Sequence, residues 1–242
     1  MIDFTRAMRR RRGVLAAAVR AGRLLRAHFW LKSIGTTLIM TVFFMAYFDL
    51  LRHPSGPVTT MPLTAVDRWI GFQPWALPLY LSLWVYVCAP AMVMESRREL
   101  LRFGAGISGV CLVGLLIFYL WPTQVPSMQA QYAGHPAFDL LRGMDAAGNA
   151  CPSLHVASAV FAALWFDRVL PALGLGRRAR WLSWLWCGLI VYSTMAIKQH
   201  VLIDVVCGLL LGWAGAVLAR GPALAAGLAE SPVGVGAGSG GA

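Results

Sequence analysis

Six apolar runs, 30–48, 75–94, 103–121, 153–170, 181–197 and 200–219, divide this 242-residue chain. A hydrocarbon core about 30 Å thick takes roughly 20 helical residues at about 1.5 Å each, so every run has about the length of one crossing. The expectation is an all-α polytopic membrane protein: a six-transmembrane-helix bundle over residues 30–220, with a basic segment 1–29 before it and a tail 221–242 after it. Composition agrees, with 58% apolar and only 13% charged residues and a mean hydropathy of +0.65. Soluble domains are about half apolar and a quarter charged.

The net charge of +11 would suit a nucleic-acid binder if it lay along a polar chain. Here the basic residues sit in short clusters between the runs, so nucleic acid is excluded as a partner and the membrane takes its place. Counted over alternate connections, 17 of the 21 Lys and Arg fall on one side: residues 1–32, Arg97, Arg98, Arg102, Arg168, Arg177, Arg178, Arg180 and Arg220. Arg52, Arg68, Arg142 and Lys198 fall on the other. The positive-inside rule then makes both termini cytoplasmic and the connections 49–74, 122–152 and 198–199 extracytoplasmic. Trp30, Trp75, Trp121, Trp181 and Trp213 near the run ends suit the interfacial belts, and Pro78 and Pro90 are expected to kink the second run.

Arg20, Arg23 and Arg26 at three-residue spacing fit either a helix on the anionic inner leaflet or a plain topology signal. Val14–Val19 is too short for the apolar part of a cleavable signal, so the first run is expected to remain as an anchor. The tail holds seven glycines in its 22 residues and cannot bury a core. Cys88, Cys111, Cys151, Cys187 and Cys207 show neither a disulfide framework nor zinc spacing, and His53 and His135 are tied by no ligand spacing to the other histidines; no metal site is read.

Chemistry is expected where polar groups persist against their solvation cost. Asp204 lies one turn inside the last run, where an ionised carboxylate costs about 3 kcal/mol unless partnered. His200, four residues earlier, shares its helix face. A carboxylate on one imidazole nitrogen leaves the other as an outward lone pair, a base or nucleophile. Gly208 and Gly212 continue the same face and invite a close helix neighbour. At the start of the fourth run, Pro152 fits a first helical position, which leaves the amides of Ser153, Leu154 and His155 free as an anion site. The charge count places the starts of runs four and six on one face, so two helix N-termini and two histidines are expected to converge on one anionic group.

Cys-Pro-Ser-Leu-His at 151–155 resembles the second signature of the type 2 phosphatidic acid phosphatase superfamily, usually Pro-Ser-Gly-His. Ser193-Thr-Met-Ala-Ile-Lys-Gln-His200-Val-Leu-Ile-Asp204 is similar to its third, Ser-Arg, five residues, His, three residues, Asp. The likeness covers about residues 75–219, and the variants look closest to the branch related to inositol phosphorylceramide synthases. It implies phosphoryl transfer without a metal or cofactor: His200 attacks phosphorus, Asp204 orients it, and His155 protonates the leaving oxygen and then activates the acceptor. Ser153, the amide of Leu154, Lys198 and Arg142 would hold the phosphoryl oxygens.

Two departures stand out. The place of the family's first signature, Trp121-Pro-Thr-Gln-Val-Pro-Ser-Met128, contains no cation, and Thr194 stands where the third has Arg. Lys198 and Arg142 are then the available cations. The leading expectation is a lipid phosphatase taking a lipid phosphate or diphosphate at the outer face of the cell inner membrane. A head-group phosphotransferase and a non-catalytic lipid-phosphate binder or transporter are the alternatives. A pocket walled by spans three to six and open to the bilayer would favour an enzyme.

Overall fold

A computed structural model describes residues 19–20, 22–126, 138 and 148–220. Segment 1–18, the tail from 221, His135 and Arg142 lie outside the described residues. The elements in chain order are α1 (Phe29–Arg52), β1 (Thr59–Thr60), α2 (Ala65–Trp69), a 3-10 turn (Pro74–Ala76), α3 (Leu77–Leu81), α4 (Leu83–Met92), α5 (Arg97–Leu120), β2 (Thr123–Gln124), α6 (Leu154–Ala172), α7 (Arg177–Ala196) and α8 (Leu202–Arg220). The protein is mostly helical, and five helices are long and apolar enough to cross a membrane: α1, the Pro74–Met92 stretch, α5, α6 and α8. The run 181–197 falls in α7, which is 20 residues long but opens on Arg177, Arg178 and Arg180. Those arginines, with Ser183, Tyr192, Ser193 and Thr194 further on, leave α7 less apolar than the other five.

α6 is the central helix. It buries Val156, Ala157, Ala159, Val160, Phe161, Ala162, Ala163 and Trp165, positions that run round the cylinder instead of forming one stripe, as a helix with neighbours on every side requires. One core cluster joins α6 to α4 and α7 through Leu83, Val160, Cys187 and Ile190. A second joins it to α5 and α8 through Phe103, Phe118, Phe161, Trp165 and Ala216.

The expected glycine face is present on α8. A Cβ at Gly208 would stand 2.5 Å from the carbonyl oxygen of Ser153, and one at Gly212 would stand 2.3 Å from that of Ala157. Only bare glycine lets α8 lie this close to the first turns of α6.

At one end of the bundle, Arg168 pairs with Glu99 at 3.1 Å and Arg180 with Asp167 at 2.8 Å. Near the same end, Arg23 meets Glu95 at 3.1 Å and Arg20 donates to the Ala172 carbonyl at 3.3 Å, so these arginines find partners on the protein itself. Lys32, buried near the start of α1, donates to the carbonyls of Leu24 and Met92 at 2.8 and 2.9 Å. At the other end, β1 and β2 pair in parallel, Thr59 with Thr123 and Thr60 with Gln124, a tie between two connections that the sequence reading does not contain.

The second run departs from expectation. Its break falls at Ser82, between α3 and α4, and not at either proline. Pro78 sits in the first turn of α3, where a missing amide hydrogen is tolerated. The Ser82 hydroxyl instead donates to the Leu79 carbonyl at 2.6 Å, the back-bonding that loosens a helix ladder.

Gly212→Ala should force backbone apart from backbone and cost about 1–3 kcal/mol. Gly188→Ala, where a Cβ meets nothing within 4 Å, should be neutral or mildly stabilising. Thermal unfolding of both variants in detergent checks this: equal melting temperatures would refute the close approach of α6 and α8.

Candidate active site

The starts of α6 and α8 meet, as the charge count implied. The backbone amide of Ser153 donates to the carbonyl of Asp204 at 3.0 Å, which stitches the two motif segments together. Pro152, however, precedes the helix. Ser153 is the N-cap of α6, and its hydroxyl accepts from the Val156 amide at 3.3 Å. With the Ser153 amide also taken, the open donors of the first turn are the amides of Leu154 and His155.

The start of α8 is partly filled by the protein's own groups. Its first amides already face carboxylates: that of Val201 donates to Asp204 Oδ2 at 2.9 Å, and that of Leu202 to Asp67 Oδ1 at 2.8 Å. Two negative side chains complement the positive end of the helix dipole. The expected convergence of two helix N-termini thus finds the start of α8 partly occupied by carboxylates.

Asp204 is fully buried. Its Oδ2 lies 3.6 Å from His200 Nδ1, and neither that nitrogen nor Asp204 Oδ1 has a hydrogen-bond partner among the described residues. Catalytic contacts are often this long before substrate binds. His200 stands in the five-residue link 197–201 that follows a Schellman turn: Gln199 donates to Thr194 O at 3.0 Å and Lys198 to Met195 O at 3.1 Å. That turn puts Lys198 at φ 61°, the left-handed position where glycine is usual; Gly174, at φ 76°, holds it at the end of α6.

The Lys198 ammonium donates to the carbonyls of Asp67, at 2.8 Å, and Ile70. The cation expected to hold phosphate is therefore bound to two carbonyls of the connection after α1. Burial lowers its pKa from the ordinary lysine value, with the Asp67 charge pulling the other way. Thr194, at the missing arginine, is buried and donates to the Val191 carbonyl of its own helix at 2.8 Å.

His155 is held by aromatic and carbonyl contacts. Its ring stacks on Tyr80, with centroids 3.8 Å apart and planes 7° from parallel, and Trp84 presents an edge at 5.7 Å. Nε2 lies 3.2 Å from the Tyr80 carbonyl. A carbonyl only accepts, so Nε2 carries the hydrogen and Nδ1 is left for chemistry.

His155 and His200 both line one cavity of about 740 Å³, within the roughly 300–1,000 Å³ usual for ligand sites. Its walls are almost wholly apolar and come from α1, α3, α4 and α5, with the start of α6. The sequence expectation of spans three to six is corrected here: α7 contributes nothing and the last span only His200, because α8 and α7 are packed tightly on α6. From Leu31 to Phe48 the cavity follows α1 for about 26 Å at 1.5 Å per residue. Lys32 is its one lining cation among the described residues, near the end away from Tyr47 and Asn149.

Several supports have no signature of their own. Thr123, buried where the first signature would fall, accepts from the Cys151 amide at 2.9 Å through its hydroxyl and from the Ala150 amide at 3.3 Å through its carbonyl. Asn149, in the left-handed region at φ 52°, donates to the Tyr47 carbonyl at 3.0 Å. Asp67 forms a capping box with Thr64; Thr-x-x-Asp is legible as a cap in the sequence, whereas its reach to Leu202 is not.

Among known proteins, a family model described as the PAP2 superfamily matches residues 74–218. No curated protein and no solved structure matches the chain.

Ser153→Ala removes the cap on Val156 and should cost about 1 kcal/mol, a fall of about 2–4 °C in melting temperature for a chain of this size. An unchanged melting temperature would show that the hydroxyl does not cap α6.

Proposed function

The chain belongs to the PAP2 superfamily, and from that premise we propose that it is an integral membrane phosphatase that cleaves the phosphomonoester or diphosphate of a lipid through a phosphohistidine. One observation carries the reading: His155, in the first turn of α6, and His200, in the link before α8, line the same long apolar cavity. A phosphate group at the histidines and an apolar chain along α1 would fill it as one molecule. Its length of about 26 Å is close to the roughly 30 Å of a hydrocarbon core.

In the first step, His200 Nε2 attacks phosphorus, a P–N bond forms, and the P–O bond to the lipid breaks. The leaving oxygen takes a proton from Nδ1 of a protonated His155, whose Nε2–H stays on the Tyr80 carbonyl. Asp204 steadies the positive charge on the His200 ring as Nδ1 closes the 3.6 Å gap. In the second step, water gives a proton to His155 Nδ1 and attacks phosphorus; the P–N bond breaks, and phosphate and free His200 are restored. The open amides of Leu154 and His155 are the donors best placed for a phosphoryl oxygen, beside the Ser153 cap. Lys198 and Arg142 remain candidates for the same task, Lys198 after release from its carbonyls.

The topology proposed with this reading has six crossings, counting α7 from Trp181, with both termini cytoplasmic and the histidines at the extracytoplasmic face of the cell inner membrane. The arginine ion pairs lie at the bundle end opposite the histidines, which supports that orientation.

Phosphate release from phosphatidate and from an isoprenyl diphosphate by the purified protein tests the proposal. His200→Ala and Asp204→Asn should each lower the rate by about 10²-fold or more. Equal rates in all three proteins would refute it, and phosphate recovered on an added polyol instead of free would make the enzyme a transferase.

A further inference from the structure

We propose that Asp67, in the connection after α1, is a positioning residue for His200. This rests on the reading of His200 as the nucleophile. The side chain of His200 accepts and donates no hydrogen bond to any described residue, so its aim depends on the backbone of 197–201. That backbone is held from both sides by the segment 64–73.

On the C-terminal side, Asp67 Oδ1 takes the Leu202 amide at 2.8 Å, across 135 residues of sequence. On the N-terminal side, the carbonyls of Asp67 and Ile70 hold the Lys198 ammonium. Beyond them, the Gln73 amide donates to the Ala196 carbonyl at 2.8 Å, and the Tyr192 hydroxyl donates to Gln73 Oε1 at 2.7 Å. Asp67 is itself fixed: its Oδ2 accepts from the Thr64 amide at 2.8 Å and hydroxyl at 2.7 Å, and only 5% of the residue is exposed. A buried carboxylate with both oxygens committed is a rigid post, since rotation of either would leave a buried amide unsatisfied.

The two carboxylates on the first turn of α8 have separate tasks. Asp204 reaches Val201 and the imidazole from within the helix. Asp67 reaches the next amide from outside and pins the helix start to the loop that also holds Lys198. Cutting the Asp67 contact frees the link that carries His200, while Asp204 keeps its place in the first turn of α8.

The test uses the full chain with Asp67→Ala, Asp67→Asn and, as a control for stability, Ser96→Ala, which uncaps α5 at the far end of the bundle. Expected is a fall in kcat of about 10–100-fold for Asp67→Ala with KM changed by less than about threefold, while Ser96→Ala keeps kcat at a similar melting temperature. Asp67→Asn, which keeps an oxygen for Leu202, should recover part of the loss. In parallel, 15N-histidine NMR of the same proteins in micelles should show the His200 ring signal shifted and broadened in Asp67→Ala and not in Ser96→Ala. An unmoved His200 signal, or a kcat loss matched by Ser96→Ala, overturns the proposal. If the wild type releases no phosphate, the functional reading fails while the NMR comparison still decides whether Asp67 positions His200.

Discussion

The contact of α8 with the first turns of α6 is the constraint on which the site depends. Without side chains at Gly208 and Gly212, the two backbones approach closely enough for the Ser153 amide to reach the Asp204 carbonyl at 3.0 Å. Packing and chemistry are here the same event. The helix pair that forms the densest part of the bundle also brings the segment bearing His155 against the segment bearing His200 and Asp204. In a bilayer, where apolar side chains gain little by leaving lipid for protein, close backbone approach is a main source of such adhesion.

The electrostatics of the site follow from which backbone donors that packing leaves open. A helix N-terminus attracts anions through its unpaired amides. At α8 the carboxylates of Asp67 and Asp204 take the amides of Leu202 and Val201; at α6 a hydroxyl cap takes that of Val156, and those of Leu154 and His155 stay open. The two helix starts are therefore unlike: carboxylates lie at one, beside His200, and a hydroxyl cap at the other, which bears His155. The Asp204 carboxylate lies behind His200, 3.6 Å from its Nδ1. The few cations of this end are placed accordingly, with Lys198 spent on two carbonyls.

The cavity explains why the tight half of the molecule is matched by a loose one. α7 and α8 pack on α6, whereas α1, which touches α4 through Phe44 and Trp84 and α5 through Tyr47 and Phe118, leaves an apolar volume of about 740 Å³ beside these contacts. A long chain lying there would add contacts along α1, which forms one wall of the cavity.

The crossing helices were legible in the sequence because hydropathy over about 20 residues is a local property with a physical threshold. Asp204 and the glycine face could be read because four-residue spacing places side chains on one side of a helix, and His155 because it opens a run; His200, expected on that same helix face, instead precedes the helix, which begins at Leu202. What only the tertiary structure decided was the use of each polar group. Lys198 looked like a free cation because its partners are the carbonyls of Asp67 and Ile70. Pro152 looked like a first helical residue because the Ser153 cap is recognised only by where its hydroxyl points. Asp67 resembled an ordinary local cap, since its bond to Leu202 spans 135 residues. Local periodicity determines which segments are helices and which faces are polar. Which donor meets which acceptor is fixed by contacts between distant segments, and these exist only once the helices have packed.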